Sequence, residues 1–172
     1  MNIRNNKRAV NSQEAIEKAY IGLLDTHGTS KITVQSICKL ADVNRTTFYA
    51  HYTDLLDLQK KIEEKLSIKI KAIFEEALTD SSKIDNAICR MFYFIEEHNV
   101  FYRLFLKHNN MSVLKSILAE TDSETKDINH EDYHISFFTA GVSEVIRIWL
   151  NNDCREKPEE LAQIIYDEYC RV

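Results

Sequence analysis

Glycine and proline are scarce in this sequence, which has three glycines and one proline among 172 residues. Tight hairpin turns depend on residues of these types, and segments that alternate apolar and polar residues are hard to find, so a β-sheet fold is disfavoured. Aliphatic residues interspersed with Lys, Glu and Asp instead favour helices. We therefore predict an all-α fold.

Long apolar runs and closely spaced cysteines are also absent. No segment approaches the roughly 20 apolar residues of a membrane span, and the N-terminus lacks the apolar core of a signal peptide. The cysteines show no C-x-x-C pair, which favours free, packed thiols in a reducing compartment over disulfides or a metal site. They are Cys38, Cys89, Cys154 and Cys170. We expect a cytoplasmic protein with no cofactor and no membrane contact.

The net charge of −5 conceals an uneven distribution along the chain. Residues 1–62 carry nine Lys or Arg and six Asp or Glu, whereas residues 63–172 carry thirteen and twenty-one. Attraction to phosphate is local and is screened beyond about 8 Å at physiological salt, so the basic N-terminal part can bind DNA although the remainder is acidic. Residues 1–10, with Arg4, Lys7 and Arg8, are predicted to form a flexible basic arm.

Helix-capping residues mark three helices in the N-terminal part. The first is predicted to begin near Asn11, which has capping-box spacing to Glu14, and to end at Gly28. Thr33 and Asn44 are predicted to cap the second and third helices, with a turn over residues 41–43 between them.

The third helix is short and has one polar face. Phe48 and Tyr52 are predicted to face the core, which leaves Arg45, Thr46 and Tyr49 outside. Two short helices around a three-residue turn, with polar residues on the second, are typical of a helix-turn-helix that enters a DNA groove.

The same stretch resembles the signature of the TetR family over about residues 10–60. The matching residues are Ile32-Thr33-Val34, Ile37, Ala41-Asp42-Val43-Asn44 and Thr47-Phe48-Tyr49-Ala50-His51-Tyr52, followed by Asp54 and Leu58. The resemblance implies a homodimer that binds an inverted-repeat operator in double-stranded DNA, usually as a repressor released by a small ligand. It also implies a set of DNA-binding residues: Thr33, Gln35, Lys39, Asn44, Arg45, Thr46, Thr47, Tyr49 and His51.

Two positions depart from the family pattern. Asp42 stands where the family usually has glycine in the turn, and Asp tolerates the left-handed conformation better than most residues. Leu55 replaces the lysine usually found at the start of the fourth helix, so one phosphate contact is expected to be missing. Lys60, Lys61 or the basic arm are the expected replacements.

The C-terminal part is predicted to be a helical effector-binding and dimerisation domain over residues 54–172. It is joined to a helix-turn-helix DNA-binding domain over residues 1–53, here called the reader. The helices of the C-terminal part are predicted at 53–78, 83–97, 100–108, 111–120, 132–151 and 158–170, with a loop at 121–129. Aromatic residues suit a hydrophobic effector, and the predicted ligand-binding residues are Tyr93, His98, Phe101, Tyr102, Phe105 and Trp149.

Dimerisation is predicted through the helices at 132–151 and 158–170, packed against their symmetry mates as a four-helix bundle. Two broadly apolar helices in so small a domain need a partner surface, and a two-fold interface supplies one. The predicted interface residues are Phe138, Gly141, Val142, Val145, Trp149, Leu161 and Ile165.

Two other functions are alternatives to that of a repressor. The first is a co-activator that acts through a partner protein, as some relatives of this short type do. The second is a metallopeptidase, because residues 130–134 match H-E-x-x-H, in which two His one helical turn apart bind zinc and the Glu activates water. The motif lies where a polar loop meets a helix start, so the two His need not share a helical face, and adventitious metal binding competes with catalysis. No enzymatic activity is therefore predicted.

Overall fold

The computed structural model describes residues 3–27, 31–78, 84–108 and 130–169. Within these ranges the chain has eight helices and no β-strand, which confirms the all-α prediction. The helices are α1 (Ile3–His27), α2 (Val34–Leu40), α3 (Arg45–His51), α4 (Leu55–Leu78), α5 (Ile84–Glu97), α6 (Asn99–His108), α7 (His130–Asn151) and α8 (Pro158–Tyr169). The predictions for Gly28, the helix at 111–120, the loop at 121–129 and Cys170 lie outside the described residues.

The chain divides into two compact units, Met1–Leu66 and Ser67–Val172. The division falls within α4, whose residues Leu58, Ile62 and Leu66 are buried and belong to the first unit. The functional boundary at residue 53 stays a prediction.

The first helix begins at Ile3, so the prediction of a flexible arm is wrong for residues 3–10. Nothing in this segment breaks a helix, because glycine and proline are absent from it. Asn11 lies inside α1 and does not start it, and the Ser12 hydroxyl donates a hydrogen bond back to the Ala9 carbonyl at 2.9 Å. The Asn11–Glu14 spacing was therefore a misleading start signal.

The core of the first unit combines one face of α1 with the inner faces of α2, α3 and α4. Its fully buried side chains include Ile16, Ile37, Phe48 and Leu58. The cysteines of the described residues, Cys38, Cys89 and Cys154, are free thiols, as predicted.

The second unit is held together by apolar packing between longer helices. α5 packs extensively against α8, and α6 packs against α7. Trp149 is buried and meets Phe92 edge to face, with ring centroids 5.3 Å apart, while its Nε1–H donates to the Glu156 carbonyl at 2.9 Å. Pro158 opens α8 as predicted. Among the described helices, none is long and apolar enough to cross a membrane.

Candidate nucleic-acid interface

Side-chain caps fix the N-termini of α2 and α3, as predicted. The Thr33 hydroxyl accepts from the Ser36 N–H at 3.1 Å, and the Ser36 hydroxyl accepts from the Thr33 N–H at 3.0 Å. Asn44 Oδ1 accepts from both the N–H and the hydroxyl of Thr47, at 2.7 and 2.9 Å. A helix of seven residues leaves most of its N–H groups without an intrahelical partner, so these caps supply a large share of its hydrogen bonds.

The turn between the two helices is closed by backbone bonds around Asp42. The N–H of Ala41 donates to Ile37 O at 2.8 Å, and the N–H of Val43 donates to Cys38 O at 3.0 Å. Asp42 adopts a φ of 53°, the left-handed conformation expected at a position where the family usually has glycine.

The third helix has one buried and one exposed face, as its sequence predicted. Phe48 and Tyr52 are 0 % and 1 % exposed, whereas Tyr49 is 51 % exposed and Arg45 and Thr46 are also exposed. We call Arg45, Thr46 and Tyr49 the outward face of α3. This face presents a guanidinium group, a hydroxyl and a phenol ring on a short capped helix. Groups of these kinds contact base edges and phosphates in DNA complexes.

The remaining predicted DNA-binding residues surround this outward face along α2 and α3. Thr47 and His51 are half-buried, and the Nε2 atom of His51 forms a hydrogen bond of 2.9 Å with the Ser12 hydroxyl of α1. Their contacts with DNA stay predictions, as do those of the exposed residues. The exposed residues are Thr33, Gln35, Lys39 and Asn44.

Lys61 has a structural role that the sequence did not reveal. Its Nζ donates to the His51 carbonyl at 2.8 Å and to the Asp57 carboxylate at 3.1 Å, and it lies 5.2 Å from the centroid of the Tyr52 ring. The N–H of Thr53, followed by Lys61, lowers the pKa of Asp57. Lys61 therefore binds the C-terminal end of α3, where a cation is favourable. Lys60 and Lys61 are both exposed, and replacement of the missing phosphate contact by either of them or by the N-terminal segment stays a prediction.

A buried carboxylate lies at the C-terminal end of α3 and was also missed by sequence reasoning. Glu17 of α1 is 8 % exposed, and its carboxylate accepts from the Tyr52 hydroxyl at 3.2 Å, from Gln13 Nε2 at 3.2 Å and from Lys65 Nζ at 2.6 Å. Burial and then Glu17 raise the pKa of Tyr52 far above its ordinary value. The hydroxyl of Tyr52 is therefore a hydrogen-bond donor at every physiological pH.

The predicted ligand-binding residues do not converge on one described cavity. Phe101, Tyr102 and Trp149 are buried in the core, His98 is half-buried, and the side chain of Phe105 lies outside the described residues. Tyr93 does line a groove of about 540 Å³ on the second unit. The groove residues are Ile73, Arg90, Tyr93, Phe94, Glu96 and Glu97.

The predicted dimer-interface residues fall into two groups. Four of them are buried within a single chain, which corrects their assignment to a surface that a second copy could contact: Val142, Trp149, Leu161 and Ile165. Phe138, Gly141 and Val145 are half-buried. Large apolar side chains that the prediction omitted are exposed on α7 and α8, at 69 % for Phe137, 48 % for Ile148 and 50 % for Ile164.

The H-E-x-x-H motif lies at the start of α7. His130 and His134 both belong to this helix, so the objection that they need not share a helical face does not hold. His134 is exposed, and the side chains of His130 and Glu131 lie outside the described residues. Among the side chains that are described, no group of three His, Cys, Asp or Glu is placed to bind a metal ion.

Comparison with known proteins gives consistent results. A family model described as "Transcriptional regulator C-terminal region" (TetR_C_8) matches residues 82–167, half of the chain. A curated relative, the HTH-type dhaKLM operon transcriptional activator DhaS of Lactococcus lactis, is 27% identical over 143 residues, which cover 77% of this chain and 71% of that protein.

Solved structures agree on the fold. A TetR transcriptional regulator from Streptococcus agalactiae 2603V matches with a TM-score of 0.66 at 23% identity, over 96% of this chain and 97% of that chain. The regulator FadR from Bacillus subtilis, solved in complex with stearoyl-CoA, matches with a TM-score of 0.69 at 18% identity, over 90% and 95% of the two chains. With the helix-turn-helix geometry and the family match together, the chain belongs to the TetR family of transcriptional regulators.

Proposed function

We propose that this regulator is a homodimer that binds an inverted-repeat operator through α3 and represses transcription until a small hydrophobic ligand releases it. The observation that carries the DNA-binding part is the outward face of α3, which is held on a capped helix above a buried core. Membership of a family of transcriptional regulators supports it. The proposal includes a cytoplasmic location, because a transcriptional regulator must reach DNA to act.

Each side chain of the outward face has a distinct proposed role. Arg45, at the first position of α3, would reach base edges, where a bidentate contact to guanine contributes about 1–3 kcal/mol of discrimination. Thr46 would contact the same edges, and Tyr49 would bind the neighbouring phosphate. In a dimer the two copies of α3 would enter successive major grooves, about 34–36 Å apart.

The direct test is selection of duplexes from a random pool, followed by titration of the selected duplex. Arg45→Ala should lower affinity for the selected duplex by about tenfold or more and relax specificity at one base position of each half-site. Arg155→Ala is the matched control, since it removes an exposed arginine of the second unit. Equal affinity of the wild type for selected and shuffled duplexes would contradict the proposed function.

The proposed dimer surface is the exposed apolar part of α7 and α8. Phe137, Ile148 and Ile164 are large apolar side chains with about half or more of their surface exposed, on two helices that pack against each other. Exposed apolar surface of this kind favours an interface. Ile164→Asp should shift sedimentation from dimer to monomer at micromolar protein. Ile68→Asp, at a residue of α4 that is 68 % exposed, is the matched control and should leave the dimer intact.

An activator is a second candidate, favoured by one observation. The curated relative named above is an activator by its printed name. Transcription in vitro from a promoter that carries the selected duplex separates the candidates. Repression lowers transcript yield on addition of the protein alone, whereas activation raises it, and a need for a partner protein appears as no effect until a cell extract is added.

A further inference from the structure

The network around Glu17 joins three helices at the end of α3. Gln13 and Glu17 belong to α1, Tyr52 is the C-cap of α3, and Lys65 lies on α4. All three partners donate to the two carboxylate oxygens, at 3.2, 3.2 and 2.6 Å. The bonds to Tyr52 and Lys65 connect residues 35 and 48 positions apart, so they form only when the unit is folded.

A carboxylate in this position is unexpected if packing were its only role. Moving a carboxylate out of water is unfavourable, and a buried ion pair is often no more stabilising than apolar residues of the same volume. An apolar residue in place of Glu17 would continue the core face that Ile16 and Tyr20 begin. An apolar residue would not make directional contacts. Hydrogen bonds fix the position of their partners, and apolar contacts do so less strictly.

The partner that Glu17 fixes is the residue that ends the recognition helix. Tyr52 is 1 % exposed, and its N–H donates to the Phe48 carbonyl at 2.9 Å. Because the ring is buried and its hydroxyl is bound to Glu17, Tyr52 holds the C-terminal end of α3 against the core. Lys61, bound to the His51 carbonyl, and Ser12, bound to the His51 ring, hold the same end.

We propose that Glu17 and Tyr52 are positioning residues for DNA recognition, which hold α3 at the rotation where its outward face meets the bases. This inference rests on the proposed DNA binding. Neither residue touches DNA, because both are buried. Their contribution is to specific binding, which requires the side chains of α3 to meet base edges together, and not to non-specific attraction, which depends on charge near phosphates.

The test measures the affinity ratio between a duplex selected by the wild type and a shuffled duplex, at a temperature where circular dichroism shows every variant folded. Tyr52→Phe removes only the hydroxyl and should lower affinity for the selected duplex about three- to tenfold, a loss no larger than the net contribution of one hydrogen bond. Affinity for the shuffled duplex should change less than about twofold, because no charge is altered.

Two further variants separate positioning from packing. Glu17→Gln keeps an oxygen that can accept from Tyr52 and should retain a higher affinity ratio than Glu17→Leu. The double variant Glu17→Leu, Tyr52→Phe should be no worse than the more affected single variant, because both break the same bond. Tyr20→Phe is the matched control, since Tyr20 is a buried tyrosine of the same unit, 5 % exposed and on α1. Its affinity ratio should equal that of the wild type.

Three outcomes would overturn the inference. A lower melting temperature of Tyr52→Phe with an unchanged affinity ratio would show a purely structural role. An equal fall in affinity for both duplexes would show loss of general binding and not of alignment. A wild type that fails to distinguish the two duplexes would overturn the proposed function itself, and the positioning role with it.

Discussion

The two compact units hold their helices in place by different means. In the first unit α2 and α3 have seven residues each, and side-chain hydrogen bonds from Thr33, Asn44 and Lys61 hold their ends. In the second unit α7 has 22 residues and is held mainly by buried apolar contacts such as that between Trp149 and Phe92. Short helices are marginal without such support, so the first unit adds directional bonds to its buried core, whereas α7 of the second unit is stabilised mainly by buried area.

The largest effect is expected from removing a buried apolar contact of the second unit. Trp149→Ala should lower the free energy of unfolding by about 3–5 kcal/mol, because it leaves a cavity beside Phe92 and removes a large buried ring. Urea denaturation followed by circular dichroism measures this. Tyr133→Ala, at a residue of the same helix that is 70 % exposed, is the control and should cost about 1 kcal/mol or less. Equal losses for the two variants would contradict the assignment of faces on α7.

A smaller effect is expected when a cap in the reader is removed. Asn44→Ala should cost about 1 kcal/mol, because the Thr47 N–H loses its side-chain acceptor, whereas Asn44→Asp should retain most of the stability. Asn152→Ala removes an exposed asparagine beyond the end of α7 and serves as control. If Asn44→Ala and Asn152→Ala unfold at the same urea concentration, the cap contributes nothing.

The turn residue should give an effect that depends on the replacement. Asp42→Ala should cost about 1 kcal/mol, since alanine is disfavoured at a φ of 53°. Asp42→Gly should change stability by only about 0.5 kcal/mol. Glycine adopts the left-handed conformation without strain, but it also increases the conformational entropy of the unfolded chain, and the two effects oppose each other. Thermal melts of the two variants test this, and a glycine variant less stable than the alanine variant would be inconsistent with the left-handed turn.

The smallest effect concerns an exposed polar bond in the second unit and its dependence on pH. The Tyr93 hydroxyl donates to the Glu159 carboxylate, and this bond raises the pKa of Tyr93 to about 12 and lowers the pKa of Glu159. For Tyr93 the neutral form is favoured in the folded state, so its stabilisation is complete below pH 10 and is lost as pH rises towards 12. For Glu159 it is present above pH 4.5 and is lost as pH falls.

Tyr93→Phe should therefore flatten the dependence of melting temperature on pH in both the acid and the alkaline window. Tyr133→Phe is the control, because it removes the hydroxyl of a tyrosine that is 70 % exposed on α7. If the profile of Tyr93→Phe matches that of the wild type from pH 3 to 12, the bond makes no net contribution.

Much of the reader could be predicted from sequence because its signals are local. Caps at Thr33 and Asn44, and the burial of Phe48 and Tyr52, follow from residues within four positions of one another. The start of α1 was missed because the Asn11–Glu14 spacing outweighed the absence of any helix breaker before it.

Other features depend on contacts between residues far apart in the chain. Glu17 looks like any exposed helical glutamate until Tyr52 and Lys65 are brought to it by folding. On α7 apolar residues occur almost all round, so periodicity could not distinguish Val142, which faces the core, from Phe137, which is exposed. Where a helix lacks a polar face, only the packing decides which side is available to a partner.

The engagement of Lys61 with the end of α3 has a consequence for how the proposed complex would respond to ionic strength. With Leu55 in place of the family's lysine, and for as long as Lys61 keeps its bond to the His51 carbonyl, the proposed complex would neutralise fewer phosphates at each half-site and would release fewer counterions. Each missing contact makes the slope of log affinity against log salt concentration shallower by about 0.9. The affinity of such a regulator for its operator would therefore fall less steeply with rising salt concentration than the affinity of a complex with more lysines at the phosphate backbone.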